Sequence, residues 1–205
     1  MNIVKDKVKL SKPVQPKELS TSEIDVVTKQ LTEALEKFGG IGLSANQIGL
    51  DVRACIINVK EPLVLINPTI VDMEKDGVAY AEQCLSIEKT LKKPVKTVRA
   101  KKITVVCDNL GTVIFSPDNE FSDWKDANEF FNDLGLLECV CAQHEIDHLN
   151  GILITDPTRR YSETITKGKT YGRNEMVMVK LVDGKTEFMK YKKAQSLIAN
   201  GATIV

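Results

Sequence analysis

Residues 38–50 read "FGGIGLSANQIGL", and the fold turns on whether this bare stretch is a phosphate cradle. Gly40, Gly42 and Ala45 have the G-x-G-x-x-A spacing of a dinucleotide-binding turn. That turn needs a strand before the glycines and a helix after them, so that phosphate meets the helix N-terminus. Here the order is reversed. Upstream, "STSEIDVVTKQLTEALEKFGG" (20–40) predicts a helix. Ser20 and Glu23 have capping-box spacing. Ile24, Val27, Leu31, Leu35 and Phe38 recur on one face, and Gly39–Gly40 stop it. Downstream, Gly49 soon breaks the chain where the helix would have to run. A doubly wound nucleotide fold is therefore rejected, and a buried turn after a helix stop explains the glycines but leaves Gln47 without a role.

Beyond the turn lie short runs rich in β-branched residues: "VRACIINV" (52–59), "LVLINP" (63–68) and "TIVDME" (69–74), punctuated by Pro62 and Pro68. "CLSIE", "KPVKTVRA" and "KITVVCD" continue the strand pattern to Asp108. A second helix is predicted in "LGLLECVCAQHEIDHLNG" (134–151), ending near Asn150–Gly151. Strands crowded between two helices predict an α+β fold rather than alternating βαβ units. Residues 115–132 hold five acids, the only tryptophan and four of the six phenylalanines. They read as an acidic insertion with an apolar side, either a cleft lid or a surface elaboration, in which Ser122 caps a short helix presenting Trp124 and Phe131.

"EMVMVKLVDGKTEFMKYK" predicts a hairpin about Asp183–Gly184, and "KKAQSLIANG" a short helix stopped by Gly201. The expected division is a catalytic domain over 1–164 and a small ββα appendage over 165–205. From Pro157 onward ten Lys or Arg face four Asp or Glu, within a chain whose 28 basic and 28 acidic residues balance. Such a tail suits either a polyanion such as RNA or a plain solvated face. No apolar run reaches the length of about 18 residues that spans a bilayer. "MNIVKDKVKL" lacks the apolar core of a secretory signal. Five cysteines without a dense framework point to reduced thiols in a cytoplasm-like compartment.

The two histidines of the chain are His144 and His148, in "HEIDH". At about 3.6 residues per turn they share a helix face, so both imidazoles can reach one metal ion, with Glu145 beside it as a base. A catalytic site of this kind needs a third ligand and an open position. The extended protease motif fails because its third histidine position is Ile154, and neither Glu163 nor Glu175 has a helical context. A thiolate remains. Cys84 lies between predicted strands in "EQCLSIE", whereas Cys55, Cys107, Cys139 and Cys141 resemble ordinary core residues. Cys139 and Cys141 share the helix of His144, which makes joint ligation with both rings awkward.

"GIGLSANQ" (40–47), "EQCLS" (82–86) and "HEIDH" (144–148) together resemble, in order, the three signatures of the peptide deformylase family. The resemblance covers about residues 10–156. Ser44 stands where alanine is usual and Gln83 where glycine is usual, and the reactive side chains are all present. The resemblance implies an α+β fold with antiparallel or mixed sheets around a central helix carrying HEIDH. It implies hydrolysis of the N-formyl group of formylmethionyl peptides. Cys84, His144 and His148 would hold one divalent metal, Fe2+ natively, with Zn2+, Ni2+ or Co2+ able to substitute. Glu145 would be the general acid and base. Gln47 and the Leu85 N–H would stabilise the oxyanion. Ile41 and Gly42 would pair with the peptide like an added strand, with Gly40 and Gly42 allowing its close approach. Val140 and Cys141 would line the methionine pocket or serve as core. Glu82 is a partner for Arg99, and Asp147 for a group behind the ligands.

No other cofactor, DNA or membrane partner is expected. A monomer is expected, with ribosome contact through the basic tail or, equally, a tail that caps the core. Two rival readings are a metalloprotease with a different third ligand and a non-enzymatic metal-stapled binding module. Glu145 and Gln47, which a structural site does not need, argue against the second.

Overall fold

The computed structural model describes residues 2–74, 77–119, 133–159, 176–180, 185–198 and 203–204. The chain divides into two compact units, Met1–Tyr161 and Ser162–Val205. In the first, a short helix α1 (Lys7–Leu10) precedes α2 (Thr21–Phe38). Ser20 and Glu23 form the capping box, and Gly39, with φ of 75°, ends the helix.

Strand β1 (Gly42–Ser44) then opens an antiparallel sheet of order β1-β2-β3, with β2 at Ala54–Ile57 and β3 at Leu63–Ile66. β2 is buried along its whole length because both faces are covered. Ala54 and Ile56 join Val27, Leu31 and Leu35 of α2 in one apolar cluster. Cys55 and Ile57 face the other way into a second cluster.

The second cluster is built on helix α4 (Leu134–Leu149), which carries both histidines. Strands β4 (Thr69–Met73), β7 (Ile103–Cys107) and β8 (Gly111–Phe115) form a second antiparallel sheet, which contributes Ile103, Val105 and Phe115 to this cluster. The hairpin β5 (Gly77–Glu82) and β6 (Val95–Ala100) adds Val78 and Tyr80 against Leu136 and Val140. With apolar neighbours on several sides, α4 is buried continuously from Cys139 to Leu149, unlike the one-sided α2.

Both ends of α4 are tied down. Asp133 caps it, accepting from Leu136 N–H at 2.7 Å and from the Asp118 and Asn119 N–H groups at 3.0 Å. At the other end the buried Arg53 guanidinium donates to the carbonyls of Leu149 at 3.1 Å, Val14 at 3.3 Å and Pro68 at 2.8 Å, and to Asn150 Oδ1 at 2.9 Å. A cation at a helix C-terminus also meets the negative end of the helix dipole.

One sequence expectation is corrected. "CLSIE" is not a strand: Cys84–Ile87 turn, and Glu88 opens the short helix α3 (Glu88–Lys92). The Thr90 hydroxyl drives this, donating to Ile87 O at 2.7 Å while accepting the Cys84 N–H at 2.9 Å. The acidic stretch 115–132 lies outside the described residues from position 120 on, and with it Ser122, Trp124 and Phe131.

In the second unit β9 (Met176–Lys180) pairs antiparallel with β10 (Thr186–Lys190) and with β11 (Thr203–Ile204), and α5 (Tyr191–Ile198) comes directly after β10. The Asp183–Gly184 turn lies outside the described residues. Among the described residues, no helix is long and apolar enough to cross a membrane.

Candidate metal centre

His144 and His148 stand one turn apart on α4, their ring centroids 5.0 Å apart. Cys84 arrives from the turn after β5. One donor atom from each of the three residues falls within 4.8 Å of the others, and all three residues are buried. Cys84 Sγ lies 3.2 Å from His148 Nε2. His144 Nδ1 donates to Glu82 Oε2 at 2.6 Å, which turns its Nε2 toward the sulfur.

The donors fit a divalent transition metal. One thiol and two imidazoles are the ligand types such an ion takes when a fourth position is left for water or substrate. Among the described residues the buried His148 Nδ1 has no hydrogen-bond partner, so no bond from them fixes that ring away from the cluster. Burial alone would lower the pKa of His144, but its hydrogen bonds to Cys84 and Glu82 raise it well above the usual value. His148 moves the other way, driven well below by burial and by the His144 charge.

A cavity of about 340 Å³ opens beside the three donors. Gln47, Cys84, Leu85, His144 and Glu145 line it, as do Ile41, Gly42, Val140 and Cys141. His148 is the one sequence-predicted site residue that does not, lying behind the others at 1% exposure. Burial pushes the Glu145 carboxyl up to about 7, with the His144 charge opposing it and the Glu82 charge adding to it. A side-chain hydrogen bond from Ser44 also acts on this carboxyl, lowering its pKa, while its buried Oε2 has no hydrogen-bond partner among the described residues. Gln47 Oε1 accepts from the Ser44 N–H and hydroxyl, each at 2.9 Å, and its Nε2 points to Ser86 Oγ at 3.1 Å and Cys84 Sγ at 3.7 Å.

The glycines of the opening motif have different reasons. Gly40 has φ of 107°, which L side chains rarely adopt. At Gly42 the constraint is space: a Cβ would lie 2.4 Å from Cys141 Sγ and 2.7 Å from Glu145 Oε1. A side chain at Gly42 would therefore collide with two α4 residues that line the cavity with it. Ile41 O accepts from Asn58 N–H at 2.7 Å, and Gly42 lies opposite Ile57. In an antiparallel ladder the next residue's N–H and C=O then turn to the other side. β1 is an edge strand, so the Gly42 backbone groups turn outward, while the Ile41 carbonyl is taken by Asn58.

Behind the ligands lies a buried ion network. Arg99 Nε and Nη2 donate to the two Glu82 oxygens at 2.6 and 3.0 Å, and Arg99 Nη1 pairs with Asp147. Arg159 Nη2 reaches the other Asp147 oxygen at 2.6 Å. Burial would raise the Glu82 pKa, but the Arg99 charge and the His144 hydrogen bond and charge hold it far below the usual carboxylate range.

Tyr80, Leu91 and Leu137 also line the cavity and were not singled out in the sequence. Two of them carried a signal. Leu137 precedes Val140, Cys141 and His144 at helical spacing, and Tyr80 precedes Glu82 by the period of a strand. Leu91 lies on α3, which the sequence reading missed altogether.

The chain matches the family described as Polypeptide deformylase over residues 1–163. It is 34% identical over 139 residues to a peptide deformylase of Pseudoalteromonas translucida, covering 65% of this chain and 71% of that protein. To one from Acidobacterium capsulatum it is 34% identical over 151 residues, covering 70% of this chain and 77% of that protein. Among solved structures it resembles the peptide deformylase of Thermotoga maritima with a TM-score of 0.58 and 27% identity, covering 78% of this chain and 95% of that one. A deformylase from a Vibrio parahaemolyticus bacteriophage also gives 0.58 at 28% identity, covering 75% of this chain and 100% of that one.

Proposed function

This chain belongs to the peptide deformylase family, and from that premise we propose that Cys84, His144 and His148 hold one divalent cation while Glu145 manages the protons of the reaction. The protein is a hydrolase that removes the N-formyl group from nascent peptides, and its substrates are N-formylmethionyl peptides. The residue roles are our assignment. A cation held by the trio would supply Lewis acidity, making a water easier to deprotonate near neutral pH.

Glu145 takes the proton of the attacking water and later delivers one to the leaving amine. The observation that carries this role is its buried Oε2, without a hydrogen-bond partner among the described residues, on a carboxyl that lines the cavity beside the trio. Gln47 Nε2 and the Leu85 N–H donate to the oxyanion formed at the formyl carbon. Gly42 offers its outward N–H and C=O to the peptide backbone. Tyr80, Leu137, Val140 and Cys141 surround the methionine side chain.

Ferrous iron is the proposed resident, with zinc, nickel or cobalt able to replace it; the single soft thiolate and two imidazoles suit all four. All five cysteines are free, which supports a reducing cytoplasm. One chain supplies the whole trio, which supports a monomer as the working unit. The basic surplus beyond Pro157 supports a contact with ribosomal RNA.

The test is formate release from a formyl-Met tripeptide by anaerobically prepared, iron-loaded protein. Glu145→Gln is expected to keep its metal by elemental analysis and to lose activity by about 10²–10⁴. Cys84→Ala is expected to lose the metal. Full turnover by the first variant, or full metal content in the second, would overturn the assignment.

A further inference from the structure

We propose that Ser44 is a positioning residue, whose buried hydroxyl clamps the Gln47 amide so that its nitrogen faces the reacting group. The inference rests on the reading of Gln47 as an oxyanion donor. A glutamine amide carries an acceptor and a two-proton donor of nearly the same shape, and only the donor end can stabilise an oxyanion. The Ser44 N–H can only donate, so its 2.9 Å bond identifies the atom facing it as Oε1. The Ser44 hydroxyl adds a second bond of 2.9 Å to that same oxygen. Ser44 lies opposite Cys55 on β1, at the same parity as Gly42, so its N–H also turns away from β2. With Oε1 held twice, Nε2 is left on the far side, toward Ser86 and Cys84.

Ser44 itself is 0% exposed and does not line the cavity. It therefore acts through Gln47 and not by touching the substrate. This is also the position at which the chain departs from the alanine of its signature motif. An alanine would leave only the backbone N–H to hold an amide that turns about three side-chain torsions. The hydroxyl is the part of the clamp that this sequence adds.

The test is a double-mutant cycle on kcat and KM with Ser44→Ala and Gln47→Ala. One hydrogen bond of ordinary strength predicts that Ser44→Ala lowers kcat about three- to tenfold with KM little changed. In the Gln47→Ala background the same substitution is expected to change nothing further. A loss that persists in that background would place the action of the hydroxyl on Glu145 and overturn the proposal. An unchanged kcat in Ser44→Ala alone would overturn it too. If Gln47→Ala itself leaves kcat intact, the oxyanion role of Gln47 falls, and the Ser44 inference falls with it. A second readout needs no turnover. In metal-free ¹⁵N-labelled protein the Gln47 side-chain amide resonances are expected to broaden or shift in Ser44→Ala, and unchanged resonances would count against the clamp.

Discussion

Glu82 and His144, 62 positions apart in sequence, are joined by a 2.6 Å bond between Oε2 and Nδ1. The same carboxylate takes two bonds from Arg99 and one from Thr97. It orients one ring of the candidate metal centre and neutralises one buried cation.

Removing that charge separates the two tasks. Glu82→Gln keeps the shape but leaves a single acceptor oxygen for His144 and Arg99. Metal affinity is expected to fall about 10–100-fold, as for other groups that orient a ligand from behind, measured by competition with a chelator. Glu82→Ala leaves Arg99 with Asp147 alone, and denaturant unfolding is expected to register a loss of about 3–5 kcal/mol. Unchanged metal affinity in both variants would refute the orienting role.

Gly42→Ala puts a methyl against Cys141 Sγ and Glu145 Oε1. Overpacking of this kind costs about 1–3 kcal/mol, and displacement of Glu145 is expected to reduce turnover as well. Adding Cys141→Ala is expected to restore much of the stability and little of the activity, because the contact with Glu145 remains. Urea midpoints and kcat measured on the single and double variants check this pair of outcomes.

Arg53→Met removes four hydrogen bonds, two to Leu149 and Asn150 at the C-terminal end of the metal-bearing helix and two to the buried Val14 and Pro68 carbonyls. A loss of about 3 kcal/mol is expected in chemical denaturation. Arg53 does not line the cavity, and kcat of the folded fraction is expected to stay within about threefold of the parent protein.

Stability of the chelator-treated protein is expected to depend on pH through Glu145. Burial raises its pKa from 4.5 to about 7. Between those values the folded state keeps a proton that the unfolded state has released, so this group's contribution falls as pH rises through the window and is level above it. The loss is on the order of 3 kcal/mol from pH 4.5 to above pH 7. Glu145→Gln has no such slope, so its stability relative to the parent is expected to grow with pH. Unfolding curves of both proteins at several pH values test the sign, and parallel profiles would contradict it.

Features resting on neighbours in sequence were legible without coordinates. The capping box of Ser20 and Glu23, the buried face of α2 and its stop at Gly39 all arise from contacts within a few residues. So does the placement of His144, Glu145 and His148, since a helix of fixed pitch carries i and i+4 to one side. The strand character of 54–57 was legible as well, because an unbroken apolar run suits a strand covered on both faces. The "CLSIE" stretch was misread because its conformation is decided by the Thr90 hydroxyl, and apolar pattern is silent about side-chain bonds to backbone.

What the sequence determined by itself was the chemistry: a thiol, two imidazoles, a carboxyl and an amide in three short motifs, and a helix pitch that aligns two of them. Only the tertiary structure decided why Gly42 has no side chain, which acid holds His144, what anchors the end of α4 through Arg53, and how Ser44 meets Gln47 in a fully buried site. The reason is physical. Helix pitch and capping are set by local bonds, whereas clearance, desolvation and charge pairing depend on groups from distant parts of the chain that meet only when the core closes.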